Sequence, residues 1–148
     1  MIEVDNKKVL LMFANLNSKK QAKVYRQALK KSAQILVKET KQQLKKSVHK
    51  INTKHTTKSG ETYSLSRGIK STVKKDGLQA KVHIMGDFRL KFFEMGTKPR
   101  YLRRKKKAYR GKITPYKFFY KSQRLKEKEV FDSINKNIKD AILKVAKK

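Results

Sequence analysis

The sequence predicts an α+β fold, with a long N-terminal helix and a C-terminal helix packed on a small antiparallel sheet and a basic extended loop. Three observations predict it. Apolar residues recur at three- and four-residue steps near both ends, they alternate on either side of Lys75-Asp76-Gly77, and residues 98–112 carry many cations and no acid. At 148 residues, with no internal repeat or Pro-rich linker, a single domain over 1–148 is expected.

The elements follow in order. A short apolar run, Val9-Leu10-Leu11-Met12-Phe13-Ala14, precedes Asn17-Ser18, whose side chains suit a helix N-cap. Ala22, Tyr25, Leu29, Ala33, Leu36, Leu44 and Val48 then repeat at helical spacing, with Thr40 filling the one gap, which predicts an amphipathic helix over 18–48. Its other face is rich in lysine and reads most simply as a solvated surface.

Residues 52–64 are almost wholly polar and lack a period, so a flexible loop is expected there. Over 68–97 the reading is a hairpin and an apolar turn. Ile69, Ser71 and Val73 alternate before the turn, and Leu78, Ala80, Val82 and Ile84 after it. Phe88, Leu90, Phe92 and Phe93 then run into Gly96, which supplies the positive φ that ends a strand or a short helix. Over 116–148, Phe131, Ile134, Ile138, Ala141, Ile142 and Val145 predict a closing helix of three to six turns.

The charge bounds the function. The chain has 41 Lys plus Arg against 11 Asp plus Glu, a formal net charge of +30. Lys98, Arg100, Arg103, Arg104, Lys105, Lys106, Lys107, Arg110 and Lys112 repel one another, so this loop stays solvated unless a polyanion neutralises it. Phosphate is the expected counterpart, through contacts that weaken steeply with salt. With no cysteine and three histidines lacking ligand spacing, neither a disulfide framework nor a metal site is expected, and no cofactor. The apolar run is too short to span a bilayer and lacks a signal-peptide pattern, so no membrane role is expected.

The order helix, polar loop, hairpin, Phe93-Glu94-Met95-Gly96-Thr97, basic loop, then Pro115 and Phe118-Phe119 before a last helix resembles one family. These are the tail-completion, or head-tail joining, proteins of tailed bacteriophages, minor tail components of the neck. In that family an aromatic or aliphatic residue precedes a Glu-x-Gly-Thr turn and a Pro-Phe element opens the last helix. Here the positions are Phe93, Glu94, Gly96, Thr97, Pro115 and Phe118 or Phe119. The resemblance implies a structural virion subunit that forms a hexameric ring between the portal-side connector and the tail tube, assembled in the host bacterial cytoplasm. It also implies that double-stranded DNA passes through the ring, where the basic loop meets its backbone without reading bases.

Two other readings stand beside this one. A stand-alone basic nucleic-acid-binding protein rests on charge and on Tyr101, Tyr109, Tyr116 and Tyr120 beside the basic run, with no recognisable reader motif. A nuclease would use His83, Asp87 and Glu94, but metal-assisted cleavage needs convergent carboxylates that so acid-poor a chain does not offer. Glu94 reads as structural, accepting backbone N–H groups or pairing with the basic loop. No catalytic residue is expected.

Overall fold

The computed structural model describes residues 11, 14, 18–48, 54–56, 58–102 and 108–146. The fold is α+β. Helix α1 (Ser18–Ser47) is followed by strands β1 (Lys54–Thr56) and β2 (Thr62–Ser64), a 3-10 turn (Leu65–Gly68), strands β3 (Lys70–Val73) and β4 (Ala80–His83), the short helix α2 (Arg89–Met95) and helix α3 (Phe118–Ala146). The strands form two separate two-stranded sheets, β1 with β2 and β3 with β4. Two compact units interleave along the chain, and both long helices contribute to each.

The first unit comprises Met1–Leu36, Ser71–Val82 and Lys126–Lys148. Here α1 is covered on two sides, which explains a difference from the spacing argument. Val24 and Ala28 are buried, whereas Ala22, Tyr25 and Leu29 are only half-buried. Val24 packs with Ile142, Ile138, Ala141 and Leu143 of α3. The turn of the β3-β4 hairpin lies on another side, where a Cβ at Gly77 would stand 2.5 Å from the Ala22 carbonyl oxygen and 3.2 Å from the Tyr25 Cβ. That contact and a φ of +76° require glycine. The Arg26 guanidinium donates to the Lys75 carbonyl, and the Gln34 amide to Ser71 Oγ at 3.0 Å.

Polar side chains fix how α1 and α3 meet in this unit. Ser32 is buried and donates to Ser133 Oγ at 2.9 Å, while the Asn137 amide donates to Ser133 Oγ at 3.0 Å and to the Ser133 carbonyl at 2.7 Å. A partly buried polar set whose members satisfy one another favours one helix register over its neighbours. Phe131, read from sequence as an inward position, is instead 61% exposed. Leu78 is 75% exposed for a local reason, since its N–H is held by Asp76 Oδ1 at 2.9 Å and it belongs to the turn.

The second unit comprises Val37–Lys70 and His83–Leu125. Val37, Thr40 and Leu44 form the buried stripe of α1 and Val48 follows just past its end, joined in burial by Leu65, Ile69, Ile84, Leu90, Phe93 and Phe118. The described residues of 52–64 are not wholly the loop expected from their polarity. Lys54–Thr56 and Thr62–Ser64 pair antiparallel, with Thr56 opposite Thr62 and their hydroxyls 3.1 Å apart. Threonine suits an extended backbone, and a cross-strand hydroxyl pair adds to the ladder. Ser64 then caps the 3-10 turn, its Oγ accepting the Ser66 N–H. Gly68 lets α2 approach, because a Cβ there would lie 2.6 Å from the Asp87 nitrogen.

Helix α3 is far longer than three to six turns. It begins at Phe118 and runs for 29 residues. Its early start follows from the interactions that hold its first turn.

Candidate functional site

The resemblance motif converges on one node of the second unit. Helix α2 is held at its start by Asp87, whose Oδ1 accepts the Arg89 N–H at 3.1 Å, and it ends at Gly96, whose N–H bonds the Phe92 carbonyl. Gly96 has φ +73° and ψ −175°, a conformation open essentially to glycine alone. A Cβ there would also stand 2.7 Å from the Ile113 carbonyl oxygen and 2.9 Å from Pro115 Cδ. Backbone conformation and close approach therefore demand the same residue.

Beyond Gly96, Thr97 grips the returning chain twice. Its N–H donates to the Ile113 carbonyl and its Oγ1 accepts the Ile113 N–H, both at 2.9 Å. Tyr116 N–H then reaches the Phe93 carbonyl at 2.9 Å, and the two rings lie 6.5 Å apart. Glu94 completes the closure, its two carboxylate oxygens accepting the Phe119 N–H at 2.8 Å and the Tyr120 N–H at 3.1 Å. These are N–H groups that a helix N-terminus leaves without intrahelical partners, and a carboxylate also offsets the positive end of the helix dipole. Phe118, fully buried, anchors the same turn, and Ser122 Oγ donates to its carbonyl at 2.7 Å. Of the two candidate phenylalanines, Phe118 is the core residue, and Phe119 supplies a backbone donor while only half-buried.

The basic segment leaves this node as a paired ribbon. Leu102 N–H donates to the Ala108 carbonyl at 2.9 Å and Arg110 N–H to the Arg100 carbonyl at 2.7 Å, with Tyr101 opposite Tyr109. Arg100 N–H also bonds the Gly111 carbonyl, so Arg110 and Gly111 together face one residue, a bulge that Gly111 accommodates with φ +83°. Pairing was not apparent in a segment read as an extended loop. Lys98, Arg100, Arg110 and Lys112 are exposed, whereas Arg103, Arg104, Lys105, Lys106 and Lys107 lie outside the described residues. Tyr101 and Tyr109 are each 58% exposed with ring centroids 5.6 Å apart.

No family model matches this chain, and no curated protein or solved structure matches it. Among the described residues, no helix is long and apolar enough to cross a membrane.

Two of the three residues weighed for a nuclease, Asp87 and Glu94, have structural partners. Glu94 caps α3, and Asp87 is a buried carboxylate held by Arg89 through Nε at 2.9 Å and Nη2 at 2.6 Å. The Asp87 hydrogen bond raises the Arg89 pKa further, so the guanidinium stays charged. Arg89 also donates to the Tyr63 hydroxyl at 3.0 Å, and both Arg89 and Arg67 lie within 6 Å of the Tyr63 ring. Sequence spacing alone did not expose this cluster, because its tyrosine comes from β2 inside the segment read as a loop.

Proposed function

We propose that this chain is a structural virion protein of a tailed phage, a tail-completion subunit of the neck that joins the head connector to the tail. Copies form a ring, a hexamer in the family it resembles, between portal-side and tail-tube proteins, and the genomic duplex passes through its lumen. The particle is assembled in the host bacterial cytoplasm. No bond is made or broken by the protein.

One observation supports this reading above the others. Phe93, Glu94, Gly96, Thr97, Pro115 and Phe118, which carry the resemblance, meet in a single node that closes the base of the basic ribbon and starts α3. Motif positions spread over 26 residues thus share one structural task in this chain. Four exposed cations on the arms suit backbone contact with a duplex in motion, where base reading would be a hindrance.

A second reading, a stand-alone nucleic-acid binder, is favoured by the exposed Tyr101 and Tyr109 pair beside those cations, since stacking on bases needs such rings. The two separate on neutralising Arg103, Arg104, Lys105, Lys106 and Lys107 to glutamine. For a neck subunit, the variant folds, assembles and enters particles that lose packaged DNA. Unchanged DNA retention by such particles contradicts the proposal.

A further inference from the structure

Only eight of the 41 basic residues are arginines, yet two of them, Arg67 and Arg89, lie beside one tyrosine, Tyr63. They come from different elements, the 3-10 turn and α2, whose backbones are locked together where they cross. Gly86 N–H donates to the Gly68 carbonyl at 3.0 Å, and a Cβ at Gly86 would stand 2.7 Å from that carbonyl oxygen. No side chain separates the two segments, so both arginines start from a fixed backbone spacing.

Arg89 is also oriented at its tip. The buried Asp87 carboxylate accepts from Nε and Nη2, and the Tyr63 hydroxyl accepts from Nη2 again. Nη1 donates to nothing among the described residues, although the side chain is partly exposed. One of only 11 acids is thus committed to holding an arginine whose last nitrogen has no protein acceptor. Arg67 is exposed and makes no hydrogen bond or ion pair among the described residues, and its guanidinium carbon lies 5.8 Å from the centre of the Tyr63 ring. Guanidinium donors match the oxygens of a phosphate, and a guanidinium already held in place loses less freedom on binding.

Beside Arg89 is a hollow of about 500 Å³ lined by Tyr63, Met85, Gly86, Asp87 and Phe88. Met85 and Phe88 are exposed there, and the Arg89 guanidinium lies 5.9 Å from the Phe88 ring centre. A bare anion leaves these apolar groups wet, whereas a phosphate that carries a sugar and a flat base covers them, since bases stack on aromatic rings. We propose that Tyr63, Arg67 and Arg89 form a site for one nucleotide phosphate, with the attached base against Phe88 and Met85. Arg89 Nη1 and the Arg67 guanidinium donate to the phosphate oxygens, and Asp87 is a positioning residue for Arg89. The ligand is a free nucleotide or an unpaired strand, because a base inside a duplex has no face to offer. The site uses none of the ribbon's cations and goes beyond the backbone contact proposed for them.

The test is calorimetric titration of the full chain, freed of nucleic acid, in salt that screens loose lysine contacts. The probes are thymidine 5′-monophosphate, thymidine, inorganic phosphate and pentathymidylate. The mononucleotide is expected to bind once per chain, more tightly than thymidine or inorganic phosphate. Arg67→Lys keeps the charge on an exposed side chain and loses only the planar fork, so it is expected to fold normally and to weaken the mononucleotide about tenfold. Phe88→Ala is expected to weaken the mononucleotide but not inorganic phosphate, and Arg100→Lys on the ribbon to change neither. Wild-type affinity in Arg67→Lys, or a nucleotide bound no more tightly than inorganic phosphate, overturns the proposal. Pentathymidylate bound more tightly than the mononucleotide, with the same loss in Arg67→Lys, supports the site and assigns it to an unpaired strand. Equal affinity for the two, again reduced in Arg67→Lys, supports it and assigns it to a free nucleotide.

Discussion

Glu94 Oε2 accepts the backbone N–H of Phe119 at 2.8 Å, across 25 residues of chain that contain the basic ribbon. With the Tyr120 bond, one carboxylate holds the start of a 29-residue helix from the end of a 7-residue one. The ribbon is thereby clamped at its base, and its charges are carried on a fixed stem.

Removing that carboxylate tests the clamp. Glu94→Ala is expected to cost about 2 kcal/mol, in the range for losing a charged helix cap, and to lower Tm by roughly 5 °C. Glu94→Gln, which keeps one acceptor oxygen, is expected to lose less. Equal thermal stability of Glu94→Ala and wild type would show that the cap contributes nothing.

Gly96→Val is expected to prevent folding, because a β-branched residue meets both a forbidden backbone and the Ile113 and Pro115 atoms. Gly60→Ala is the control. It shares a positive φ, +84°, but has open space around it, so its expected cost is only about 1 kcal/mol. Circular dichroism and thermal melts distinguish the two, and equal losses would remove the role assigned to close approach.

Lys117 is the one non-glycine residue with positive φ among those described, at 52°, immediately before α3. Lys117→Gly relieves that conformation and is expected to stabilise the fold by up to about 1 kcal/mol. A clear drop in Tm would instead mean that the lysine side chain contributes to the helix start.

The Asp87 and Arg89 pair is expected to be strongly coupled. Arg89→Met leaves a buried carboxylate without its main partner and should cost about 3 kcal/mol, whereas Asp87→Leu combined with Arg89→Met should cost less than the sum of the two single changes. Additive losses in chemical denaturation would show that the two side chains act independently.

How far the sequence revealed this molecule depended on burial. Helix α1 was legible because Ala33, Leu44 and Val48 keep a helical period, and the β3-β4 hairpin because Val73 and Val82 alternate around Lys75-Asp76-Gly77. The β1-β2 pair escaped notice because its strands are short and polar. Its available signal was the repeated threonine flanking Ser59-Gly60, which suits extended backbone around a turn. The start of α3 was marked by the Pro-Phe element of the resemblance, while the apolar period began only at Phe131. Phe118 begins a helix because Glu94, distant in sequence, satisfies its first N–H groups, and no local pattern encodes that contact. The pairing of Tyr101 with Tyr109 was masked in the same way by the surrounding charge, which suggested only repulsion.

The most direct test of the central claim is the mass of the nuclease-treated wild-type protein, measured by sedimentation across a salt series beside its binding to a random-sequence duplex. A neck subunit is expected to release the duplex as salt rises while remaining a closed oligomer of fixed mass. A particle that stays monomeric at low and high salt alike, with nucleic acid as its sole partner, would contradict the account.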